Sequence, residues 1–354
     1  MSPQGPQPEG VRIGVLYDFA QGDGGRYFED GLRLGLEEAR AGVRIGQEIE
    51  LIGREAQGLP AGSAASVIEH FNTLIDEGVV AIVGPSISDN GLIVRDLADE
   101  ARMPCINYTG GAMTRGEHMF HYQVGSLEEE PVLLAEHLRS RGCRRIAVLH
   151  DDTPVGTGYI AWLDRAVAVS GEPRIAHRAA VSPVAEDLRP AVEQALGGEP
   201  DALLYLGLGV AARAVALAVT ACAWAGPVVA NSALMFGYRR RDWREGFEGW
   251  VYADTVSDAN PVRAALAERS PAHAASPIGV AAFDIGRLVG EGLALADART
   301  PAGVREGLER VKRLPAASGK PGTTMGFGQW DHGALKGEAL VLRAWRGGRT
   351  VEVP

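Results

Sequence analysis

Segments with the pattern of β-strands alternate with segments with the pattern of α-helices, and the links between them are short. The first run has strands at 11–17, 48–55, 79–83 and 104–108 and helices at 26–40, 61–77 and 89–101. Two strands joined by one helix run parallel, because the chain returns along a face of the sheet before the next strand starts. This alternation therefore predicts a parallel sheet with helices on both faces.

The same alternation starts again after a short strand at 119–124. The second run has strands at 144–150, 174–181, 202–206, 227–230 and 249–254 and helices at 128–141, 156–169, 186–197 and 210–224. Two such runs predict two Rossmann-like α/β lobes, which is consistent with a length of 354 residues. Two more helices, at 277–296 and 301–312, and a C-terminal ribbon cannot fold alone, so we expect them to dock on the earlier units.

Small polar loops follow the carboxyl ends of the predicted strands. They comprise residues 18–25, 84–90, 108–114, 151–158, 207–210 and 231–236. Ligands bind at this edge of open α/β sheets, and two facing edges make a cleft. The loop in AIVGPSISDNG adds the hydroxyls of Ser86 and Ser88 to the free N–H groups of a helix N-terminus. These loops predict reversible binding of a small ligand.

Motifs typical of an enzyme, a cofactor site or a metal site are absent from the sequence. The series Gly207-x-Gly209-x-x-Ala212 follows a strand, but the next strand ends without the acid of a dinucleotide-binding fold. No glycine loop carries a Walker lysine, and no serine lies in Gly-x-Ser-x-Gly. His118 and His121 would point to opposite faces of a strand, which suits no shared metal. We therefore expect no enzyme activity, no cofactor and no metal.

Charge and hydropathy exclude two further classes of partner. The net charge is −10, and acidic and basic residues are interspersed, whereas nucleic-acid binding requires a basic face. The longest apolar run, 210–224, is interrupted by Arg213 and is shorter than the ~18 residues of a membrane span. The N-terminal MSPQGPQPEG lacks the charged and apolar regions of a signal peptide. Its proline and glycine content predicts a flexible arm over residues 1–10.

A series of segments occurs in an order that one known family shares. They are VRIGVL, GLRLGLEEA, FNTLIDEGVVAIVGPSIS, MPCI, RRIAVLHDDTPVGTGY, PDALLYLG, AAFDIGRLV and GFGQWDHGALKG. In these segments, from Val11 to about Gly348, the chain resembles the type I periplasmic binding proteins, in the branch of the leucine/isoleucine/valine-binding protein of ABC transporters. The resemblance implies two lobes joined by three crossovers. We expect lobe 1 at 11–123 and 254–328, and lobe 2 at 124–253 and 329–354.

The resemblance also implies ligand-binding residues in the first lobe. Ser88 matches the hydroxyl that helps to hold the ligand's carboxylate. Thr109 and Gly110 lie in the next loop, where the family uses backbone amides, and Gly111 stands near the position of a further hydroxyl.

In the second lobe and at the hinge, this chain departs from the family. Val155 and Leu208 replace aromatic residues, Ser232 replaces the acid that anchors an α-ammonium, and Phe283 matches an aromatic at the hinge side. A buried ammonium without a counter-charge costs several kcal/mol. These residues, with Met235, predict an apolar, neutral or singly anionic ligand.

The function that the resemblance implies is capture of a small organic solute, for an ABC-type importer of the branched-chain amino acid family. A cytoplasmic ligand-sensing regulator on the same fold, bound to a protein partner in place of a permease, is the alternative, and an α/β enzyme is a third possibility. The family is extracytoplasmic by default, whereas the sequence as given begins without a signal peptide, so the location stays open.

Overall fold

The computed structural model describes residues 10–19, 24–42, 48–232, 234, 243 and 245–354. Residues 1–9 of the predicted arm and Met235 lie outside this part, and Gly10 already belongs to the first strand. In the described residues, no helix combines the length and the hydropathy that crossing a bilayer requires.

The first lobe has a parallel sheet of five strands in the order β2-β1-β3-β4-β5. These are β1 (Gly10–Tyr17), β2 (Glu48–Glu55), β3 (Ala81–Val83), β4 (Cys105–Asn107) and β5 (Met119–His121). Between them run α1 (Gly24–Gly42), α2 (Ala64–Asp76) and α3 (Ser88–Ala101). Side chains alternate across each strand, so both faces of the sheet carry apolar residues and each face has its own buried cluster.

The C-terminal helices complete the first lobe. They are α8 (Pro261–Arg269), α9 (Pro271–Ala274), α10 (Pro277–Leu295) and α11 (Pro301–Arg310). Helix α10 packs closely on α1, because Gly35 of α1 meets the backbone of Phe283 and Gly286 without an intervening side chain. The apolar faces of both helices close over one side of the sheet.

The second lobe has a sheet of seven strands in the order β15-β14-β10-β9-β8-β6-β7. Its parallel strands are β6 (Arg145–Asp151), β7 (Arg174–Val181), β8 (Ala202–Leu206), β9 (Val228–Ala230) and β10 (Val251–Asp254). A hairpin of β14 (Val341–Arg346) and β15 (Arg349–Val353) adds antiparallel strands at one edge. The helices are α4 (Glu130–Ser140), α5 (Pro154–Ser170), α6 (Arg189–Leu196) and α7 (Ala212–Ala221). Two α/β lobes with parallel sheets confirm the predicted fold class.

A third, small sheet corrects the predicted boundary at 328/329. Its strands β11 (Leu314–Pro315), β12 (Thr324–Met325) and β13 (Leu335–Lys336) pair antiparallel, and Gly333 bridges His121 of the first lobe. Ala334 and Leu335 are buried in the core of that lobe. The chain therefore stays with the first lobe through Lys336, because these apolar side chains have their contacts there.

Between the lobes, the buried carboxylate of Asp284 binds segments that lie next to crossovers. It accepts hydrogen bonds from the Tyr122 hydroxyl at 2.7 Å, the Ala317 N–H at 2.9 Å and the Ser318 N–H at 3.1 Å. Tyr122 precedes the first crossover, and Ser318 precedes Gly319, which bridges Val256 at the second crossover. One carboxylate on α10 thus connects two of the segments at which the lobes are joined.

Candidate functional site

Two helix N-termini, one from each lobe, face each other across the cleft. Helix α3 begins at Ser88 after β3, and α5 begins at Pro154 after β6. The N–H of Val155 lies close enough to the carboxylate of Asp89, the second residue of α3, to oppose the rise of its pKa. Each helix N-terminus carries partial positive charge and free N–H groups, so polar ligand groups are attracted to this space.

The loop before α3 is held by Asp18, which lies just after β1. The Asp18 carboxylate accepts from the Ser86 N–H at 2.7 Å, the Ser86 hydroxyl at 2.6 Å, the Ile87 N–H at 3.0 Å and the Asn90 side-chain amide at 2.7 Å. Burial raises the pKa of Asp18, and these four donors oppose that rise. The hydroxyl of Ser86, predicted to bind ligand, is therefore used to fix the loop.

Ser88 lies in the cleft wall with its hydroxyl free of internal bonds. It is buried, and the N-cap of α3 is Ile87, which makes no side-chain cap bond. The Ser88 hydroxyl has no hydrogen-bond partner among the described residues, and a Cβ added at Gly111 would lie 3.5 Å from it. The structure thus brings Ser88 and Gly111 together at the predicted edge.

In the loop after β4, backbone N–H groups are available at the cleft, whereas the Thr109 hydroxyl is hydrogen-bonded within the protein. The Thr109 hydroxyl donates to Asn107 Oδ1 at 2.9 Å and lies 3.1 Å from the hydroxyl of Thr114. In contrast, neither the N–H of Gly110 nor that of Gly111 donates to any described residue. The backbone N–H groups of this loop are thus left unpaired by the described residues, whereas the side chain of Thr109 is structural.

In the second lobe, Asp151 holds the loop after β8. Its carboxylate accepts from the Tyr205 hydroxyl at 2.9 Å and from the Leu208 N–H at 2.7 Å. Burial raises the pKa of Asp151 to about 6, and the nearby charge of Asp89 adds to the rise. The side chain of Val155 is buried in the core of this lobe and forms no apolar wall of the cleft, and its N–H lies near the Asp89 carboxylate.

Ser232 belongs to a buried polar network around Glu130. The Ser232 N–H donates to Glu130 Oε2 at 2.8 Å, the Tyr159 hydroxyl lies 3.4 Å from the same oxygen, and the Ser126 N–H donates to Oε1. Burial raises the pKa of Glu130 to about 7. Ser232 replaces the family's acid, but the carboxylate of Glu130 reaches it from the start of α4.

Phe283 lies away from the cleft. It is buried among Val256, Leu266, Ala274, Val280 and Ala317, and the Arg287 guanidinium stands 5.4 Å from its ring centre. The next residue, Asp284, occupies the hinge side instead. Helix α10 is buried on most of its circumference, so its apolar pattern alone does not distinguish the face at the hinge.

No metal site is found in the part of the chain that the structure describes, where no three His, Cys, Asp or Glu side chains come together. Cys105, Cys143 and Cys222 are free thiols, and burial raises the pKa of each. A thiol with a raised pKa is a poor nucleophile at neutral pH.

A family model described as "Periplasmic binding protein" matches residues 10–339. The chain belongs to this family. No curated protein sequence matches it. The match covers the first lobe, all of the second lobe except the hairpin of β14 and β15, and every candidate site residue named above.

Solved structures of periplasmic binding proteins share this fold at low sequence identity. A type 1 protein from Bordetella pertussis Tohama I has a TM-score of 0.83 and 18% identity, over 98% of this chain and 100% of that one. The leucine binding protein LivK of Thermotoga maritima has a TM-score of 0.79 and 16% identity, over 97% and 98%. An ABC transporter substrate-binding protein from Desulfitobacterium hafniense in complex with Leu has a TM-score of 0.77 and 18% identity, over 98% and 100%.

Three buried carboxylates distinguish the cleft of this periplasmic binding protein from the one predicted. Asp89, Asp151 and Glu130 lie at or behind its walls. The prediction of an apolar, neutral or singly anionic ligand rested on the absence of an acid at position 232. In the described part of the cleft, the adjacent acids Asp89 and Asp151 argue against an anionic ligand, because like charges repel strongly where water is excluded. The sequence signal for Asp89 was its place directly after Ser88, at the beginning of a helix.

Proposed function

We propose that this periplasmic binding protein captures a small organic solute between its two lobes and delivers it to an ABC-type importer. The observation that carries the proposal is the pair of opposed helix N-termini. Ser88, Gly110 and Gly111 present unpaired donors and acceptors from one side, and the Val155 N–H faces them from the other. Such a site binds a ligand through hydrogen bonds from both lobes and needs no nucleophile or metal.

Closure of the cleft follows from where these groups lie. A ligand that contacts α3 and α5 at once has more contacts when the lobes are closed, so it binds the closed state more tightly than the open one. This difference in affinity shifts the equilibrium between the open and the closed state. A shift from 1% to 99% closed requires about 10⁴-fold preference for the closed state. Neighbouring structures in complex with Leu and with isoleucine belong to transporter substrate-binding proteins, which supports the importer role.

Titration calorimetry with a panel of amino acids, amines, carboxylates and sugars tests the proposal. We expect one chemical class to bind at one site per chain, and Gly111→Val, which fills the space beside Ser88, to abolish that binding. Lack of binding by every member, or binding that Gly111→Val leaves unchanged, contradicts it. Reconstitution with the permease and ATPase then tests the importer role: ligand-dependent ATP hydrolysis is expected only when this protein is present.

A further inference from the structure

Asp89 has a carboxylate oxygen that the protein leaves unpaired. The side chain is 8% exposed, and Oδ1 has no hydrogen-bond partner among the described residues. A buried ionised carboxylate is costly unless it is paired and hydrogen-bonded. The only opposing contribution to its pKa is the N–H of Val155, and no described arginine or lysine acts on it.

The other buried acids near the cleft have their oxygens occupied. Asp18 accepts four hydrogen bonds, Glu130 accepts from Ser126, Ser232 and Tyr159, and Asp151 accepts from Tyr205 and Leu208. Each of these carboxylates therefore has a structural role that explains its burial. Of these four described acids, only Asp89 has a buried oxygen without a hydrogen-bond partner, and it lies where the two lobes meet.

Among the residues that the structure describes, the charge around Asp89 argues against an anionic partner for that oxygen. Asp151 faces it from the second lobe, closely enough for the charge of Asp89 to raise the Asp151 pKa. Two carboxylates that face each other across a closed cleft repel unless a proton or a cation lies between them. A cation bound there removes the repulsion and gives Oδ1 the donor that it lacks.

We propose that Asp89 Oδ1 binds an ammonium group of the ligand, so that the solute is a primary or secondary amine, with or without a carboxylate. The inference rests on the proposed function, since it assumes capture of a solute in this cleft. The ammonium has several N–H donors. One is bound by Asp89, and a second is accepted by the unpaired hydroxyl of Ser88, the residue before Asp89. A carboxylate on the same ligand is placed at the unpaired N–H groups of Gly110 and Gly111. Selection of the cation thus lies in the first lobe, at position 89, and not at position 232.

Probes that share a carbon skeleton separate the ammonium from the rest of the ligand. The panel comprises leucine, 3-methylbutylamine and 4-methylpentanoate, together with phenylalanine, 2-phenylethylamine and 3-phenylpropanoate. Calorimetry with the full chain is expected to give binding only for members with an ammonium. Asp89→Asn is expected to weaken that binding roughly 10- to 150-fold, the effect of losing a hydrogen bond to a charged group. Asp96→Asn, on the exposed side of the same helix, is the matched control and is expected to change nothing.

Unfolding of the ligand-free variant separates a ligand anchor from a structural acid. If the Asp89 carboxylate only stabilises the N-terminus of α3, Asp89→Asn lowers the Tm and leaves ligand affinity unchanged, which overturns the inference. If only water occupies Oδ1, neither affinity nor ligand preference changes, which overturns it too. The proposal predicts an unchanged or raised Tm together with weaker amine binding. Equal binding of an amine and its carboxylate counterpart contradicts this inference alone, whereas no binding by any panel member contradicts the proposed function and this inference with it.

Discussion

The N–H of Val155, at the start of α5, lies close enough to the carboxylate of Asp89, at the start of α3, to oppose the rise of its pKa. This proximity relates the two lobes at the edge where both sheets present their loops. It places a buried acid, with one unpaired oxygen, between two helix N-termini. The predictions below follow from that arrangement and from the buried networks that support it.

Affinity for an amine is expected to fall below pH 6. Burial raises the pKa of Asp89 from 3.8 to about 6, and Asp151, which faces it, also has a pKa of about 6. A cation requires the ionised carboxylate, so binding is strongest above pH 6 and weakens up to about tenfold per pH unit below it. Calorimetry with 3-methylbutylamine from pH 5 to 8 is the measurement. Constant affinity over this range is the contrary result, and Asp89→Asn is expected to flatten the profile.

The stability of the ligand-free protein is expected to change with pH in the opposite direction. A carboxyl group whose pKa is raised in the folded state contributes stability below its ordinary pKa, and this contribution is lost as the pH rises through the folded value. For Asp89 the window runs from 3.8 to about 6. Thermal unfolding of wild type and Asp89→Asn at pH 5 and pH 7 measures it. The Tm of Asp89→Asn is expected to exceed that of wild type by more at pH 7 than at pH 5. A Tm difference that disappears at pH 7 is inconsistent with a destabilising charge on Asp89.

Ser88→Ala is expected to weaken binding and to leave stability nearly unchanged. The Ser88 hydroxyl caps no helix, so its loss affects only a ligand atom that it contacts, by about 1–3 kcal/mol. Ser63→Ala is the matched control, because the Ser63 side chain does cap α2 by accepting from the Ser66 N–H at 3.2 Å. That control is expected to lose about 1 kcal/mol of unfolding free energy and no affinity. The reverse pattern would make Ser88 a structural residue.

Ser232→Glu is expected to destabilise the second lobe and not to create an amine site. Ser232 is buried against the carboxylate of Glu130, and Gly125 packs on its side chain. A glutamate at position 232 would bring a second negative charge next to Glu130 and would be too large for the space. We expect a loss of about 3 kcal/mol or more of unfolding free energy. Ser232→Ala is the control, with an expected loss of about 1 kcal/mol. Chemical denaturation measures the unfolding free energy of both variants. A Ser232→Glu variant as stable as wild type would contradict the buried network around Glu130.

Asp284→Ala is expected to lose about 3–5 kcal/mol of unfolding free energy. It leaves the buried N–H groups of Ala317 and Ser318 without their acceptor and removes one partner each of Tyr122 and Arg287. Asp164→Ala removes one partner of an ion pair exposed to solvent and is expected to change stability by about 0–1 kcal/mol. Equal effects of the two substitutions would show that the hinge does not depend on Asp284.

The alternation of strands and helices carried enough information to predict the two lobes and the edge of the cleft. The loops that contain Ser88, Gly110 and Gly111 are predicted there because strand ends and helix starts are visible in the sequence, and the family resemblance selects these residues within the loops. The direction of a side chain at a helix start is not visible, so the sequence does not single out Asp89. It also does not show that the Ser86 hydroxyl bonds Asp18 or that the Thr109 hydroxyl bonds Asn107. Phe283 and Asp284 are adjacent on a helix that is buried on most sides, where periodicity does not separate core from hinge. Strand β13 has two residues, too few for a pattern.

Small-angle scattering of the full chain, with and without a saturating amine from the panel, tests the central claim most directly. Repulsion between Asp89 and Asp151 favours an open cleft in the free protein, and a cation between them favours the closed one. The account predicts a smaller radius of gyration with ligand, and a smaller change for Asp89→Asn at the same ligand concentration. An unchanged radius of gyration at proven saturation would contradict capture by closure of the two lobes.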